Sequence, residues 1–248
     1  MKTFIIEKED DYKFDFCWHL NQAINFNNWY NGTKIYSFLN VSFTHKEKEF
    51  ENLKEYKGLI PVGSVEFVHK FMEVNNKTIP KPLNIPDELK QYEYLKRGIG
   101  VKFFKDLDIK IPIFIKPNIE LKKFTGFVAE NKEKALLFEP SIKDNTEIFY
   151  SDVIDIISEY RCFIYNKELV GVKHYDGDFK LLPNFNIIKR CINDYKKSPI
   201  SYTLDFGITD KNETVLIEAQ NFYSVGLYGF NDYKILPEMY IKWFEKYE

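Results

Sequence analysis

Apolar residues keep a clear strand or helix period mainly after residue 110, and that part of the chain gives the cleanest elements. Residues 111–117 (IPIFIKP) have buried-strand character, interrupted only by Lys116 near the end. Residues 159–166 (EYRCFIYN) and 168–175 (ELVGVKHY) predict two strands joined by a tight turn, and residues 202–209 (YTLDFGIT) and 214–220 (TVLIEAQ) predict a second hairpin. Between the hairpins, Ile187, Ile188, Cys191, Ile192 and Tyr195 recur at helical spacing. A closing amphipathic helix over residues 233–247 is expected to turn Leu236, Met239, Tyr240, Trp243 and Phe244 inward.

The first hundred residues are less regular. The run at residues 45–57 (HKEKEFENLKEYK) predicts an exposed, charged helix. Residues 58–72 (GLIPVGSVEFVHKFM) predict a turn followed by a helix with Val65, Val68 and Phe71 on one side. A Pro-rich stretch at residues 79–86 then separates this region from the strand-dominated remainder. The expected division is an N-terminal region over residues 1–90 and a second domain over residues 91–248.

Composition narrows the function classes. The chain has 248 residues, of which 44% are hydrophobic and 17% aromatic, enough to build a sizeable core. Its 35 basic and 37 acidic residues balance, so no broad positive field for nucleic acid is expected. No apolar run approaches the roughly 20 residues of a membrane helix, and a cytoplasmic protein is expected. Cys17, Cys162 and Cys191 are widely spaced and are read as reduced, mostly buried thiols. The four histidines form no ligand cluster, and no Gly-x-Ser-x-Gly sequence is present.

Candidate chemistry comes from charges placed on apolar strands. A two-residue loop at Lys211 and Asn212 sets Asp205 opposite Glu218. Like charges so placed destabilise a sheet, so a cation is expected between them. A hard divalent ion such as Mg²⁺ suits two carboxylates, with Gln220 facing the same way; neutralisation by Arg or Lys is the alternative. In the first hairpin, Arg161 opposes Lys173 if the turn holds three residues, and faces Val172 if it holds two. With Lys116 these would supply three cations for a polyphosphate. The loop at residues 118–126 (NIELKKFTG) brings Lys122, Lys123, Thr125 and Gly126, which could close over phosphates.

In this order, IKP, the loop ending in TG, EYR, VKHY, LDFGI and LIEAQN resemble the ATP-grasp superfamily. The likeness is greatest to a small clade marked by one arginine and two lysines, frequent in phages and linked bacterial gene neighbourhoods. Its members are predicted peptide or amino-acid ligases. The resemblance spans about residues 58–230, including PVGSVEF and SVGLYGF. It implies an α+β ATP-grasp fold, in which two subdomains with antiparallel sheets enclose a nucleotide cleft, beside an N-terminal α/β region. The small subdomain is expected at about residues 111–155 and the large one at about 156–248.

The resemblance also implies roles. Lys116 and Lys173 contact phosphates, with Lys123, Thr125 and Gly126 over them. Arg161 holds the acyl phosphate or γ-phosphate, and Asp205 and Glu218 ligate Mg²⁺. Asp152, Val153, Ile154 and Asp155 form the hinge that meets adenine, with Asp155 toward ribose. The family has Asn two residues after the metal Glu. Here Gln220 stands there and Asn221 follows, so either Gln220 substitutes or a bulge turns Asn221 inward. The implied reaction is ATP- and Mg²⁺-dependent joining of a small-molecule or peptide carboxylate to an amine through an acyl phosphate.

Two other readings stay open. KHYDG at residues 173–177 approaches the K-x-D-G sequence of lysine-adenylating nucleotidyltransferases, but with one residue too many. A nucleotide-binding module without catalysis is the third.

Overall fold

The computed structural model describes residues 1–8, 14–43, 52–118 and 124–247. The first layer contains β1 (Lys2–Lys8), α1 (Asp15–Tyr30), β2 (Tyr36–Ser42), β3 (Ile60–Val62) and α2 (Val65–Val74). Its parallel sheet has the order β2-β1-β3. The central strand carries Phe4, Ile5 and Ile6 in succession, all buried, because a parallel strand covered on both faces needs an unbroken apolar run. Ser64 caps α2 by accepting the Phe67 N–H at 3.1 Å. Of the charged run at residues 45–57, most lies outside the described residues; Leu53–Tyr56 form one 3₁₀ turn.

A second layer follows: α3 (Tyr92–Leu95), β4 (Ile99–Phe103), β5 (Ile113–Pro117), β6 (Phe127–Ala129), α4 (Lys132–Phe138) and β7 (Glu147–Asp152). Its antiparallel sheet has the order β4-β7-β5-β6, so it starts earlier in the chain than residue 111. The third sheet, in the order β11-β10-β8-β9, is built from β8 (Ile156–Tyr165), β9 (Glu168–Gly177), β10 (Ser201–Thr209) and β11 (Thr214–Asn221). Helix α5 (Phe185–Asp194) packs Ile188, Cys191 and Ile192 into the core of this sheet. All three cysteines are free and buried.

The last helix, α6 (Leu236–Glu245), buries the five expected side chains. They join the core of the first layer, with Phe4, Leu20 and Phe67, so this helix packs on α1 and β3 as well as on β10. No helix among the described residues is long and apolar enough to cross a membrane.

Both hairpins reach the expected facing residues by a different route from simple counting. In β8–β9 the turn holds two residues, Asn166 and Lys167, both with positive φ, as a tight two-residue turn requires. Counting from that turn puts Arg161 opposite Val172. A bulge at Val170 adds one residue to β9 and sets Arg161 opposite Lys173. In β10–β11 the pairing nearest the turn is Ile208 with Thr214, one residue out of the expected register. A bulge at Ile217 then restores Asp205 to Glu218.

Candidate active site

The two bulges have a joint consequence. Lys173 on β9 faces Arg161 on β8, Arg161 faces Asp205 on β10, and Asp205 faces Glu218 on β11. Four charged residues thus cross the whole sheet in one row, two cationic and then two anionic. The opposed carboxylates are neutralised separately. Arg161 donates to Asp205 through both Nε (2.9 Å) and Nη2 (2.7 Å), while Lys116, reaching over from β5, pairs with Glu218. The Gln220 amide bridges the two acids, donating to Glu218 and, at 3.3 Å, to Asp205.

The middle of the row is sealed. Arg161 is 5% exposed and Asp205 2%. The guanidinium lies under a stacked pair of rings, 5.0 Å from the centre of Tyr228 and 5.7 Å from Tyr175, and donates to the Gly226 carbonyl at 3.0 Å. Burial works against its charge, but the two bonds it donates to Asp205 more than compensate and hold the proton more firmly than usual. The loop bearing Tyr228 is pinned by Asp15, which accepts the Leu227 and Tyr228 N–H groups at 2.9 and 2.8 Å.

The edge of the row opens into a cleft of about 410 Å³ between the two antiparallel sheets. Lys116, Thr125 and Gly126 line one wall, and Asp152, Val153 and Ile154 form the connection at its back. Glu159, Tyr175 and Glu218 line the other wall. Gly126 is required by close approach, since a Cβ there would stand 2.4 Å from the Phe114 ring. Burial would push the Glu218 carboxyl up, but Lys116 and Gln220 override this and hold it below the usual range. The Lys173 ammonium makes no hydrogen bond or ion pair among the described residues.

The structure separates the remaining candidates. Gln220 is on the carboxylate face. Asn221 is turned away, accepting from Trp243 Nε1 at 3.2 Å and donating to the Lys81 carbonyl at 2.9 Å. Asp152 accepts the Gly98 N–H at 2.7 Å, and Asp155 is exposed outside the cleft lining. Lys122 and Lys123 lie outside the described residues.

Sequence reasoning missed Arg97. Its guanidinium is buried, lines the cleft, and donates to the carbonyls of Leu95, Leu216 and Ile217, so it holds the bulge that brings Glu218 into the row. Burial lowers its pKa to about 10, partly offset by Asp152. Only the packing reveals this role, because a single Arg after a short helix carries no distinguishing pattern.

A family profile described as ATP-grasp domain, R2K clade family 2, matches residues 94–236. The chain belongs to this family. Among solved structures, D-alanine–D-alanine ligase from Bacillus anthracis is similar with a TM-score of 0.60 at 12% identity, covering 99% of this chain and 98% of the ligase. Its complex with ATP has a TM-score of 0.59 at 14% identity, with 99% and 97% covered. A RimK domain ATP-grasp protein from Sphaerobacter thermophilus has a TM-score of 0.53 at 11% identity, with 96% and 98% covered. These likenesses show the ATP-grasp fold, two antiparallel-sheet subdomains forming a nucleotide-binding cleft. No curated protein matches the sequence. The chemistry of the superfamily is ATP-dependent ligation, forming an amide through an acyl phosphate.

ATP and Mg²⁺ fit the donor set. Phe114, Val128, Phe149 and Ile156 give the cleft apolar walls for a planar base beside Val153 and Ile154. Lys116 and Glu218 line the same cleft, and Gln220 joins Glu218 to Asp205 behind it. No group of three His, Cys, Asp or Glu that could hold a metal occurs among the described residues.

Proposed function

We propose that this protein is an ATP- and Mg²⁺-dependent carboxylate–amine ligase that joins an amino acid or peptide to an amine and releases ADP. The observation that carries this reading is the charge row, with Lys116 meeting its acidic end inside the cleft. Asp205 and Glu218 would hold the Mg²⁺, with Gln220 rather than Asn221 beside them. When bound, the ion neutralises phosphate charge and orients the γ-phosphoryl group. Lys116 and Lys173 bind phosphate oxygens; an incoming phosphate draws Lys116 away from Glu218 and frees that carboxylate. The Val153–Ile154 backbone takes adenine, and Thr125 and Gly126 cover the phosphates.

In the first step a substrate carboxylate oxygen attacks the γ-phosphorus, the bond to the β-phosphate oxygen breaks, and ADP leaves. In the second, the amine nitrogen attacks the acyl carbon, the carbon–oxygen bond to phosphate breaks, and inorganic phosphate departs while the amine proton passes to solvent. Arg161 holds Asp205 in place throughout by its two hydrogen bonds.

The test is thermal melting with ATP, with and without Mg²⁺, followed by ADP release with acids and amines. A Mg²⁺-dependent rise that Glu218→Ala abolishes, and ADP release that needs both substrates, are expected. Stabilisation without acceptor-dependent ADP release would instead leave a nucleotide-binding module. No rise at millimolar ATP would sink the reading.

A further inference from the structure

Two residues along each strand from the charge row lies a second row on the same face: Gly171 on β9, Phe163 on β8, Thr203 on β10 and Gln220 on β11. Gly171 and Phe163 offer Thr203 no polar side chain, and Phe163 stacks on Phe230 with ring centres 4.4 Å apart. Thr203 is fully buried, and its Oγ1 has no hydrogen-bond partner among the described residues. The Ser201 hydroxyl, two residues away on this face, is also unpartnered and so does not serve it. A buried hydroxyl left orphaned is costly and calls for a reason.

Across the ladder from Thr203, the Gln220 amide turns its nitrogen to the acids. Nε2 donates to Glu218 Oε1 and, at 3.3 Å, to Asp205 Oδ2. Arg161 donates to both Asp205 oxygens and Lys116 to Glu218 Oε2, so all four carboxylate oxygens already accept an N–H. A hard cation is ligated by the oxygen of an amide, not by its nitrogen. For Gln220 to serve Mg²⁺, the amide must therefore turn over about its last side-chain torsion, which is broad and two-fold. Directly opposed residues on one face stand about 4.5–5.5 Å apart at Cβ, so Thr203 Oγ1 is within reach of the nitrogen once it has turned.

We propose that Gln220 is a two-position ligand and that Thr203 is the positioning residue that holds the second position. With nitrogen inward, the amide caps the acid pair. With oxygen inward, it faces the cation, and Nε2 donates to the Thr203 hydroxyl. The assignment rests on the ligase reading above, which puts Mg²⁺ at these carboxylates. It also sets an order: the capped acids do not take a divalent ion by themselves, and the ion enters with the phosphate that draws Lys116 away.

Calorimetric titration of the full chain tests this with three probes: ATP in EDTA, ATP with Mg²⁺, and Mg²⁺ alone. Binding of Mg²⁺ alone to the wild type is expected to be undetectable at millimolar concentration. Thr203→Val removes the hydroxyl at nearly constant volume. It should weaken ATP with Mg²⁺ by about fivefold, the worth of one hydrogen bond, and leave ATP in EDTA unchanged. Without ligand this variant should melt no lower than the wild type, because an orphaned hydroxyl has become a methyl group. Thr203→Ser should restore binding. In Gln220→Met, which has neither end of the amide, adding Thr203→Val should cost nothing further. The assignment would be overturned by unchanged affinity in Thr203→Val, by an equal loss for ATP in EDTA, or by a markedly lower melting temperature of that variant. A full further loss in the double variant, or tight binding of Mg²⁺ alone by the wild type, would overturn it too. A wild type that binds no ATP would instead bring down the ligase reading, and this assignment with it.

Discussion

The two ion pairs of the charge row have the same chemistry and opposite settings. Arg161 and Asp205 are sealed under Tyr228, joined by two hydrogen bonds, and supported by the Gly226 carbonyl. Lys116 and Glu218 stand at the cleft wall, with side chains 17% and 25% exposed, joined through a single ammonium. The first pair is over-determined and cannot easily exchange partners. The second can, since water and ligand both reach it. A site that must trade one of its own charges for a phosphate needs one fixed pair to hold the strands and one mobile pair to make the trade.

The largest effect should come from breaking the fixed pair. Arg161→Ala leaves the Asp205 charge buried without its partner and is expected to cost about 3–5 kcal/mol in denaturant unfolding. A cost below about 1 kcal/mol would mean that the centre of the row is as replaceable as its rim. Next comes Arg97→Met, which strips donors from three buried carbonyls and releases the bulge at Ile217; about 1–3 kcal/mol is expected, together with loss of stabilisation by ATP. Retained ATP binding would show that the bulge holds without Arg97.

Lys116→Met should separate the pairs most clearly. Being partly exposed, it should cost under about 1 kcal/mol of stability, yet the ATP-dependent rise in melting temperature should disappear. The smallest effect concerns acid. Glu218 is held below the usual carboxyl range, so between its folded value and about 4.3 the unfolded chain binds more protons. Its stabilisation is present above that window and fades as pH falls through the folded value. Glu218→Gln should flatten this part of the acid-unfolding curve by less than about 1 kcal/mol.

How much of this was legible in the sequence depended on how local the determinant was. The strands of the third sheet and β5 show as alternating or continuous apolar runs, and Arg161, Lys173, Asp205 and Glu218 on the former and Lys116 on the latter stand out as charges within them. Register is less local. Arg161 meets Lys173 only because Val170 bulges, and a turn-based count gives Val172. The resemblance implies an N-terminal α/β region, but its parallel sheet is not legible in the residues themselves, because KTFIIEK is too short to separate from a buried helix segment and α1 mixes buried Phe16 and Leu20 with exposed Trp18 and Trp29. The seal over Arg161 depends on Asp15 and Tyr228, more than two hundred residues apart, so no window of sequence contains it.

The return of α6 to the first layer has a consequence for how the chain acquires its shape. Lys2 and Glu245 form an ion pair at 3.1 Å, and the core beneath β1 is finished by Trp243 and Phe244. During synthesis, β1 and α1 leave the ribosome more than two hundred residues before α6 and must wait for it before their shared core is finished. The two antiparallel sheets, whose partners are close in sequence, can form in the meantime. A part made before α6 is then secured only by it, and a ribosome stalled before Leu236 would hold a formed nucleotide cleft beside an exposed, association-prone parallel sheet.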